Sequence, residues 1–311
     1  MNWFRSVIGQ PTAVQLLTHA LNRGRLAPAY LFAGPEGVGR ALTARCFLQA
    51  ILNEEGDLSN HPDVLWLEPT YSVQGTLYTR RQLLAADKEI PRSAPQIRLE
   101  QIRQLSRHLS QPPIRAPRSL VVLTQAETLN EAAANALLKT LEEPGRATLI
   151  LIAPHPSSLL NTIVSRCQHI PFYPLNRRDV EQVLKRVAPP DFWPQVTPAL
   201  LALGAGSPGA ILQAWQTWQE IPAAFRHLGE QLTAPLPLQR ALELARDITQ
   251  ALDVERQLWL LSLMQQQLWQ GREFPQCVVL LQQLERARQY LRQYVQPRLV
   301  WEVLLMRLGS V

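Results

Sequence analysis

The sequence predicts an α/β domain built on a parallel sheet, followed by a region made only of helices. Up to residue 172, short apolar runs alternate with segments of helical period, which is the pattern of strands joined by crossover helices. After residue 172 there is no further strand signal, and helical periodicity dominates. The first apolar run leads into a glycine-rich turn and then a helix, which is the context that a phosphate-binding loop requires.

The elements of the first region follow from periodicity and from proline and glycine stops. A helix at 11–23 carries apolar residues on one face and precedes a short buried strand at 29–33. Further strands are predicted at 64–67, 120–123 and 148–153, and further helices at 41–52, 97–109 and 130–143. Asn130 is a candidate N-cap of the last of these helices. Residues 68–96 are interrupted by prolines and are predicted to form a loop or an insertion.

The second region is predicted to consist of helices. Short helices are expected at 177–186, 198–205 and 207–219, separated by glycine and proline turns, and from about residue 222 the pattern is helical to the end. Five tryptophans lie among leucines, which favours a helical core over stacking on nucleic-acid bases: Trp215, Trp218, Trp259, Trp269 and Trp301.

The composition bears on location and partners. No apolar run approaches the roughly 20 residues of a membrane-spanning helix, and the first residues lack the apolar stretch of a signal peptide. We therefore expect a cytoplasmic protein with no membrane partner. Cys46, Cys167 and Cys277 are far apart and lack metal-ligand spacing, which favours reduced thiols. The net charge of +6 permits contact with nucleic acid without requiring it.

Residues 34–41 have the glycine skeleton of a P-loop without its chemistry. Gly34 and Gly39 occupy the two glycine positions of the pattern Gly-x-x-x-x-Gly-Lys-[Ser/Thr], with Gly37 between them. Arg40 stands where a lysine would contact the β- and γ-phosphates, and Ala41 stands where a hydroxyl would bind Mg²⁺. Only three of the 31 basic residues are lysines, so composition could account for Arg40 but not for Ala41. We expect a vestigial, non-functional phosphate loop.

The acids of an ATPase are also absent from their expected place. A P-loop ATPase uses an aspartate to orient the Mg²⁺ shell and a neighbouring glutamate to polarise the attacking water, both at the end of a later strand. After the predicted strand 120–123 the sequence continues Thr124-Gln125-Ala126-Glu127, so neither of the first two positions carries a carboxylate. The hydroxyl that binds the metal, the acid that orients it and the acid that activates water are therefore all missing. This predicts a chain without ATPase activity of its own.

Four sequence blocks, in their order and spacing, resemble the clamp-loader branch of AAA+ proteins. They are Val7–Gln10, Ala29–Gly39, Asn135–Pro144 and Ser165–Cys167, and the third is highly specific to that branch. The C-terminal run 297–308 is similar to the last collar helix of those proteins. The resemblance implies an AAA+ P-loop α/β domain, a small helical lid and a helical collar for oligomerisation, at 1–172, 173–216 and 217–311.

Within this branch, the chain resembles the type of subunit that keeps the ATPase fold without hydrolysing ATP. Members that hydrolyse ATP carry Asp-Glu where this chain has Thr124-Gln125, and an arginine in the lid where it has Gly209. The resemblance implies that Arg166, between Ser165 and Cys167, is an arginine finger that acts in trans on ATP bound by a neighbouring subunit.

The 135–144 block also has candidate interface residues. Ala136, Leu137, Thr140 and Leu141 are predicted to form the packed face of a helix. The remaining charged side chains are then exposed and available to a neighbouring subunit, and they are Lys139, Glu142 and Glu143.

The resemblance also implies partners and cofactors. It places the chain in a hetero-oligomer, the DNA polymerase III clamp loader, with gamma/tau ATPase and delta subunits, acting on a sliding clamp and primed DNA during replication. ATP and Mg²⁺ would be bound by the neighbour and not by this chain. Many relatives hold a structural zinc in a four-cysteine insert after the P-loop helix, but residues 47–96 contain no cysteine, so we expect no zinc.

The residues leave two alternatives open. One is a competent ATPase that uses Arg40 in place of lysine and Glu127 as its acid, against which Ala41 and Thr124 argue. The other is a standalone DNA-binding protein, which would need a basic face and a steep salt dependence of DNA binding. The candidates for that face are Arg80, Arg81, Arg92, Arg98, Arg103, Arg107, Arg115 and Arg118.

Overall fold

The computed structural model describes residues 3–58, 60–91, 93–231, 236–271 and 276–308, without the side chains of residues 271, 276, 277 and 308. Cys277 and Arg92 therefore lie outside the described side chains. The chain divides into two compact units, Met1–Val183 and Leu184–Val311. The finer division at 172 and 216 stays a prediction.

The first unit is built on a five-stranded parallel sheet. Its strands are β1 (Ala29–Ala33), β2 (Val64–Leu67), β5 (Ser119–Leu123), β6 (Ala147–Ala153) and β7 (Gln168–Pro171), in the order β2-β5-β6-β1-β7. β1, β5 and β6 are buried along their whole length, which explains why they are nearly continuous apolar runs in the sequence. The four predicted strands are confirmed.

The fifth strand, β7, gave no strand signal in the sequence. It reads Gln-His-Ile-Pro, and only Ile170 is fully buried. β7 lies at the edge of the sheet and pairs only with β1, so most of its side chains meet solvent and need not be apolar. Its last residue is a proline, which an edge strand tolerates because no further strand needs its N–H.

Helices cover the sheet of the first unit. They are α1 (Pro11–Asn22), α2 (Arg40–Leu52), α3 (Arg80–Ala85), α4 (Leu99–Ser110), α5 (Glu131–Glu142), α6 (Asn161–Val164) and α7 (Arg177–Val187), which runs across the division between the units. The core on one sheet face joins β5 and β6 to α4 and α5 through Ile102, Leu105 and Leu137, all fully buried. Asn130 caps α5 as predicted, because its Oδ1 accepts a hydrogen bond from the Ala133 N–H at 2.9 Å.

The segment 68–96, predicted as a loop or an insertion, contains regular structure that the sequence did not indicate. This segment contains an antiparallel hairpin, β3 (Thr70–Val73) and β4 (Thr76–Thr79), followed by α3. Gln74 and Gly75 form the two-residue turn with φ of 50° and 80°, the backbone that a tight hairpin requires. The hairpin strands are short and half exposed, so their alternation is weak in the sequence.

Gln101 at the start of α4 anchors the hairpin to the domain. Its side chain donates to the Glu68 carbonyl at 2.8 Å and lies 3.1 Å from the Thr70 hydroxyl. The Thr70 and Gln96 backbones exchange hydrogen bonds at 2.9 and 3.0 Å. Gln101 is buried, so these bonds are shielded from water. Side-chain and backbone hydrogen bonds thus hold the hairpin segment in place, whereas the sequence had not indicated what stabilises it.

Asp63, just before β2, organises the loop between α4 and β5. Its carboxylate accepts hydrogen bonds from the backbone N–H groups of Ile114, Arg115 and Ala116 at 2.6, 2.7 and 2.7 Å. Burial raises the pKa of the Asp63 carboxyl, but these three donors and nearby His61 outweigh burial and bring the pKa below its usual value. The charged carboxylate is therefore the form that stabilises the fold.

We expect Asp63→Asn to lower the free energy of unfolding by about 2–4 kcal/mol at neutral pH, because an amide cannot accept all three bonds without exposing its own donors. A lowered folded-state pKa gives stability that is present above the unfolded pKa and lost as pH falls through the folded one. The gap between wild type and variant should therefore shrink below about pH 4.

Urea unfolding of both chains at pH 7 and in the acid range measures this prediction. Asp87→Asn is the control, since Asp87 is an exposed aspartate of the same unit. A gap between wild type and Asp63→Asn that grows on acidification would contradict the assigned role.

The second unit is helical in every part that the structure describes. Its helices are α8 (Phe192–Gln195), α9 (Pro198–Leu203), α10 (Pro208–Glu220), α11 (Leu228–Gln231), α12 (Leu238–Ala251), α13 (Val254–Gly271), α14 (Gln276–Arg292) and α15 (Pro297–Leu308). In the described ranges, no helix combines the length and the apolar character needed to cross a bilayer.

Of the five tryptophans predicted in a helical core, three are buried in the second unit, Trp259 is half-buried and Trp269 is exposed. Trp215, Trp218 and Trp301 are buried. Trp301 is fully inaccessible, and its indole N–H donates to Gln257 Oε1 at 2.9 Å. Trp269 is 57% exposed, so the prediction of a core position was wrong there. It follows the buried Leu268, and a helix turns by about 100° per residue, which carries the ring to the outer face of α13.

Candidate functional site

The glycine loop lies where the sequence predicts it, between β1 and α2. Gly34 packs against the backbone that follows β7, and a Cβ at this position would lie 2.7 Å from Phe172 Cβ, so only glycine fits. Gly39 has φ of 101° and is the N-cap of α2. Gly37 also has positive φ, at 77°. The loop thus depends on glycine at positions 34, 37 and 39 for its close packing and its positive φ angles.

Arg40 points into the protein and not out of the loop. It is only 8% exposed, and its Nη1 donates to the backbone carbonyl of Ala153 at the end of β6. Burial lowers the pKa of the Arg40 guanidinium, and the carboxylates of Glu127 and Glu36 oppose this by favouring the charged form. The guanidinium thus links the start of α2 to the end of β6.

The other positions of a magnesium site carry no suitable oxygen. Ala41 is exposed and has no ligand atom, and the next hydroxyl along α2, that of Thr43, is buried and donates to the Gly39 carbonyl at 2.9 Å. Just after β5, the Thr124 hydroxyl donates a hydrogen bond to the Leu67 carbonyl at 3.3 Å. In the described residues, no group of three or more His, Cys, Asp or Glu side chains could hold a metal ion.

Glu127 is the carboxylate that most strongly favours the charged form of Arg40, ahead of Glu36 in the loop itself. It lies in a 3₁₀ turn, Ala126–Thr128, beyond β5 and not at the strand end. Partial burial raises the pKa of the Glu127 carboxyl above its usual value, whereas its own backbone N–H and the positive charge of Arg40 lower it. Arg40 and Glu127 thus interact with each other inside the pocket.

One residue that shapes this loop, Gln10, had no assigned role in the sequence. Gln10 is buried, and its side-chain amide donates to the Val38 carbonyl at 3.2 Å and to the Tyr173 carbonyl at 2.7 Å. Its oxygen accepts from the Tyr173 N–H at 3.1 Å. Gln10 therefore ties the glycine loop to the segment after β7, against which Gly34 packs. The only hint of this role in the sequence was that Gln10 is a polar residue in the block Val7–Gln10, which resembles clamp-loader proteins.

The Ser165–Cys167 tripeptide lies between α6 and β7, with three side chains in three environments. The Ser165 hydroxyl donates to the Thr162 carbonyl at 3.2 Å. Cys167 packs against the core, where burial raises the pKa of its thiol to about 12. Arg166 between them is exposed, with 36% of its side chain accessible. The tripeptide thus anchors both neighbours and presents a single guanidinium at the surface.

The structure brings the 135–144 block together with this guanidinium. Lys139, Glu142 and Glu143 are exposed on α5 and after it, as expected, while Leu137 and Leu141 are buried. Arg166 Nη2 donates to Glu142 Oε1 at 2.8 Å, and its Nη1 donates to the Thr162 carbonyl at 2.9 Å. One of the three candidate interface residues is therefore the ion-pair partner of the candidate finger.

The glycine loop and Arg166 lie at opposite ends of the sheet. β1 and β7 are parallel, with Tyr30 opposite Gln168 and Ala33 opposite Pro171. Gly34 follows the last residue of β1, whereas Arg166 precedes the first residue of β7. At about 3.3 Å per residue, the two ends are at least roughly 13 Å apart. The geometry therefore separates Arg166 from the pocket of its own chain.

The remaining sequence candidates have less specific surroundings. Gly209 lies in the first turn of α10, which Ser207 caps by accepting the Ala210 N–H at 3.1 Å. Of the predicted basic face, Arg103 and Arg107 are exposed on α4 and Arg80 and Arg81 on α3.

Comparison with known sequence families covers both units. Residues 9–176 match the family described as "DNA polymerase III, delta subunit", which is more than half of the chain, and residues 178–308 match "Cyanobacterial DNA polymerase III delta prime, C-terminal domain". The chain belongs to the delta-prime family of DNA polymerase III subunits. The expected fold, a parallel-sheet α/β domain followed by a helical region, is confirmed.

Individual relatives agree with this family. The delta-prime subunit of Pseudomonas aeruginosa is 34% identical over 204 residues, covering 60% of this chain and 55% of the relative. That of Bacillus subtilis is 30% identical over 190 residues, covering 56% and 51%. The chain thus spans about half the length of the delta-prime relatives that it matches.

A solved structure shares the fold over nearly the whole chain. The crystal structure of a DNA polymerase III gamma subunit-related protein from Thermotoga maritima has a TM-score of 0.55, with 96% of this chain and 99% of that chain covered. Its sequence is 17% identical, so this likeness establishes the fold alone.

Proposed function

We propose that this delta-prime family member is a non-catalytic, stator-like subunit of the DNA polymerase III clamp loader, and that Arg166 completes the ATP site of a neighbouring subunit. One observation carries the proposal: the side chain at the P-loop lysine position is folded into the protein, while an exposed arginine lies at the far end of the sheet.

The pocket of this chain lacks the groups that hydrolysis needs. A P-loop lysine places a compact charge at the β- and γ-phosphates, but Arg40 is buried against the Ala153 carbonyl. Ala41 offers no oxygen to Mg²⁺, and Glu127 is engaged electrostatically with Arg40. Without a metal anchor and a carboxylate free to polarise water, the barrier to hydrolysis stays high.

Arg166 has the properties of a residue that acts in trans. Its guanidinium is exposed and lies in the turn between α6 and β7. A guanidinium carries five N–H donors and binds phosphate oxygens in a fork, which suits charge developing on a transferred phosphoryl group. An arginine supplied by a neighbour contributes about 10³–10⁵ in rate in phosphoryl-transfer systems.

The partners and cofactors follow from this role. ATP and Mg²⁺ would belong to the neighbouring gamma/tau-type ATPase subunit, with a delta subunit in the same hetero-oligomer. The complex would load a sliding clamp onto primed DNA in the cytoplasm during replication. Lys139 and Glu143 would face the neighbour, as exposed side chains beside Arg166's partner Glu142. No zinc is proposed, because residues 47–96 contain no cysteine to bind one.

The isolated chain is expected to show no saturable, Mg²⁺-dependent binding of ATP in a calorimetric titration, because neither the lysine charge nor the metal-binding hydroxyl is available. An isolated gamma/tau ATPase subunit under the same conditions is the positive control. Tight Mg²⁺-dependent binding with turnover by the pure chain would favour the alternative of a competent ATPase that uses Arg40 and Glu127.

A further inference from the structure

We propose that Glu142 is the positioning residue of Arg166: it fixes the guanidinium in the orientation that receives the neighbour's phosphate. This inference rests on the proposed function of Arg166 as a finger. Glu142 would act through Arg166 and would not touch the nucleotide itself.

Two acceptors within the chain hold the guanidinium at two of its nitrogens. Glu142 Oε1 accepts from Nη2 at 2.8 Å, and the Thr162 carbonyl accepts from Nη1 at 2.9 Å. Both acceptors lie on fixed elements, since Glu142 is the last residue of α5 and Thr162 is in α6. α5 is in turn anchored in the core through Leu137 and Leu141. The arginine side chain is therefore restrained before any partner arrives.

The restraint leaves donors available. A guanidinium has five N–H groups, and these two bonds use two of them. With 36% of the Arg166 side chain accessible, the remaining donors can reach an anion outside the chain. Preorganised donors stabilise developing charge better than mobile ones, because no ordering is needed at the moment of reaction.

The strength of the ion pair decides between positioning and sequestration. If Glu142 sequestered Arg166, the pair would have to be strong enough to compete with a phosphate. More than half of the Glu142 side chain, 53%, is exposed, and exposed ion pairs are weak because water screens them. A polyphosphate with Mg²⁺ is a stronger partner for arginine. The pair can orient the guanidinium without withholding it.

The test compares variants in the assembled clamp loader. Glu142→Ala is expected to lower kcat at the one ATP site that Arg166 is proposed to complete by about three- to tenfold, with KM there little changed, because only transition-state orientation is lost. Glu142→Gln should fall between wild type and Glu142→Ala, since an amide oxygen still accepts the hydrogen bond. Glu142→Ala combined with Arg166→Ala should have the rate of Arg166→Ala alone, because Glu142 would have nothing left to position.

The control is Glu181→Ala, which removes a comparable exposed pair, Arg177 Nε to Glu181 Oε1 at 3.1 Å, and should leave kcat unchanged. A readout independent of turnover is ¹⁵N NMR of the arginine side chains in the free chain, in which rotation of the Arg166 guanidinium should become faster in Glu142→Ala.

Two results would overturn the inference. A kcat that rises in Glu142→Ala would indicate sequestration, and a kcat and guanidinium rotation that both stay at wild-type values would indicate an inconsequential surface pair. Either can occur while Arg166→Ala still abolishes activity, in which case only the positioning role fails. An Arg166→Ala complex with full activity would instead remove the proposed function itself.

Discussion

Replacing Arg166 by alanine is expected to lower the turnover of the ATP site that this chain completes by roughly 10³-fold or more, within the range measured for arginine fingers. Arg166 is the exposed guanidinium of the Ser165–Cys167 tripeptide and lies at the end of the sheet away from the glycine loop of its own chain. Single-turnover hydrolysis in the assembled complex and clamp loading onto primed DNA both measure the loss. The total steady-state rate should fall less if other sites in the ring work independently.

The same variant should fold normally. Arg166 is exposed, and its ion pair with Glu142 is screened by solvent, so the unfolding midpoint of the free chain should be within error of wild type. Arg177→Ala removes another exposed arginine of the same unit and serves as the control for a general loss of charge. Wild-type turnover and clamp loading by the Arg166→Ala complex would rule out the finger.

Replacing Trp301 by alanine is expected to lower the free energy of unfolding by about 3–5 kcal/mol. The indole of Trp301 is fully buried on α15, so its removal leaves a large cavity in the core of the second unit. It also removes the donor at 2.9 Å from Gln257 Oε1, an acceptor on a side chain that is itself buried. An unpaired buried acceptor adds to the cost of the cavity. Denaturant unfolding followed by circular dichroism measures the change.

Two further substitutions separate these contributions. Trp301→Phe keeps most of the apolar volume but still leaves Gln257 without its donor, so it should cost less than Trp301→Ala while remaining measurably destabilising. Leu299→Ala, on the same helix but 50% exposed, should change stability by less than about 1 kcal/mol. A Trp301→Ala chain as stable as Leu299→Ala would show that the helix contributes little to the core.

The sequence predicted secondary structure best in the elements whose residue types are set by burial alone. Central strands are buried on both faces, so β1, β5 and β6 had to be apolar along their whole length, and that pattern needs no knowledge of the rest of the fold. Edge elements are different. β7 and the hairpin β3–β4 are held by backbone pairing and by single side chains such as Gln101, and such bonds impose little pattern on the sequence.

In the candidate site, too, some features could be predicted from the sequence and others could not. The identities of Arg40 and Ala41 were sufficient to predict a vestigial loop, because that prediction depends on which atoms a side chain offers. The finger at Arg166 was implied by the resemblance of its tripeptide to a known family and not by the arginine alone. The direction in which a long side chain points depends on contacts with residues distant in the chain. Sequence reasoning therefore could not place Arg40 against Ala153, which is 113 residues away, or pair Arg166 with Glu142.

By itself, then, the amino-acid sequence predicted the family, through blocks that resemble it, and the order of the principal elements, through residue type and local period. It also supplies the residues on which the proposal of a non-functional loop rests. Only the tertiary structure decided that the guanidinium of Arg40 is buried, that Gln10 ties the glycine loop to the segment after β7, and that Glu142 bonds to Arg166. The physical reason is that packing brings together groups far apart in the chain, and a hydrogen bond depends on distance and angle in space, which no local pattern encodes.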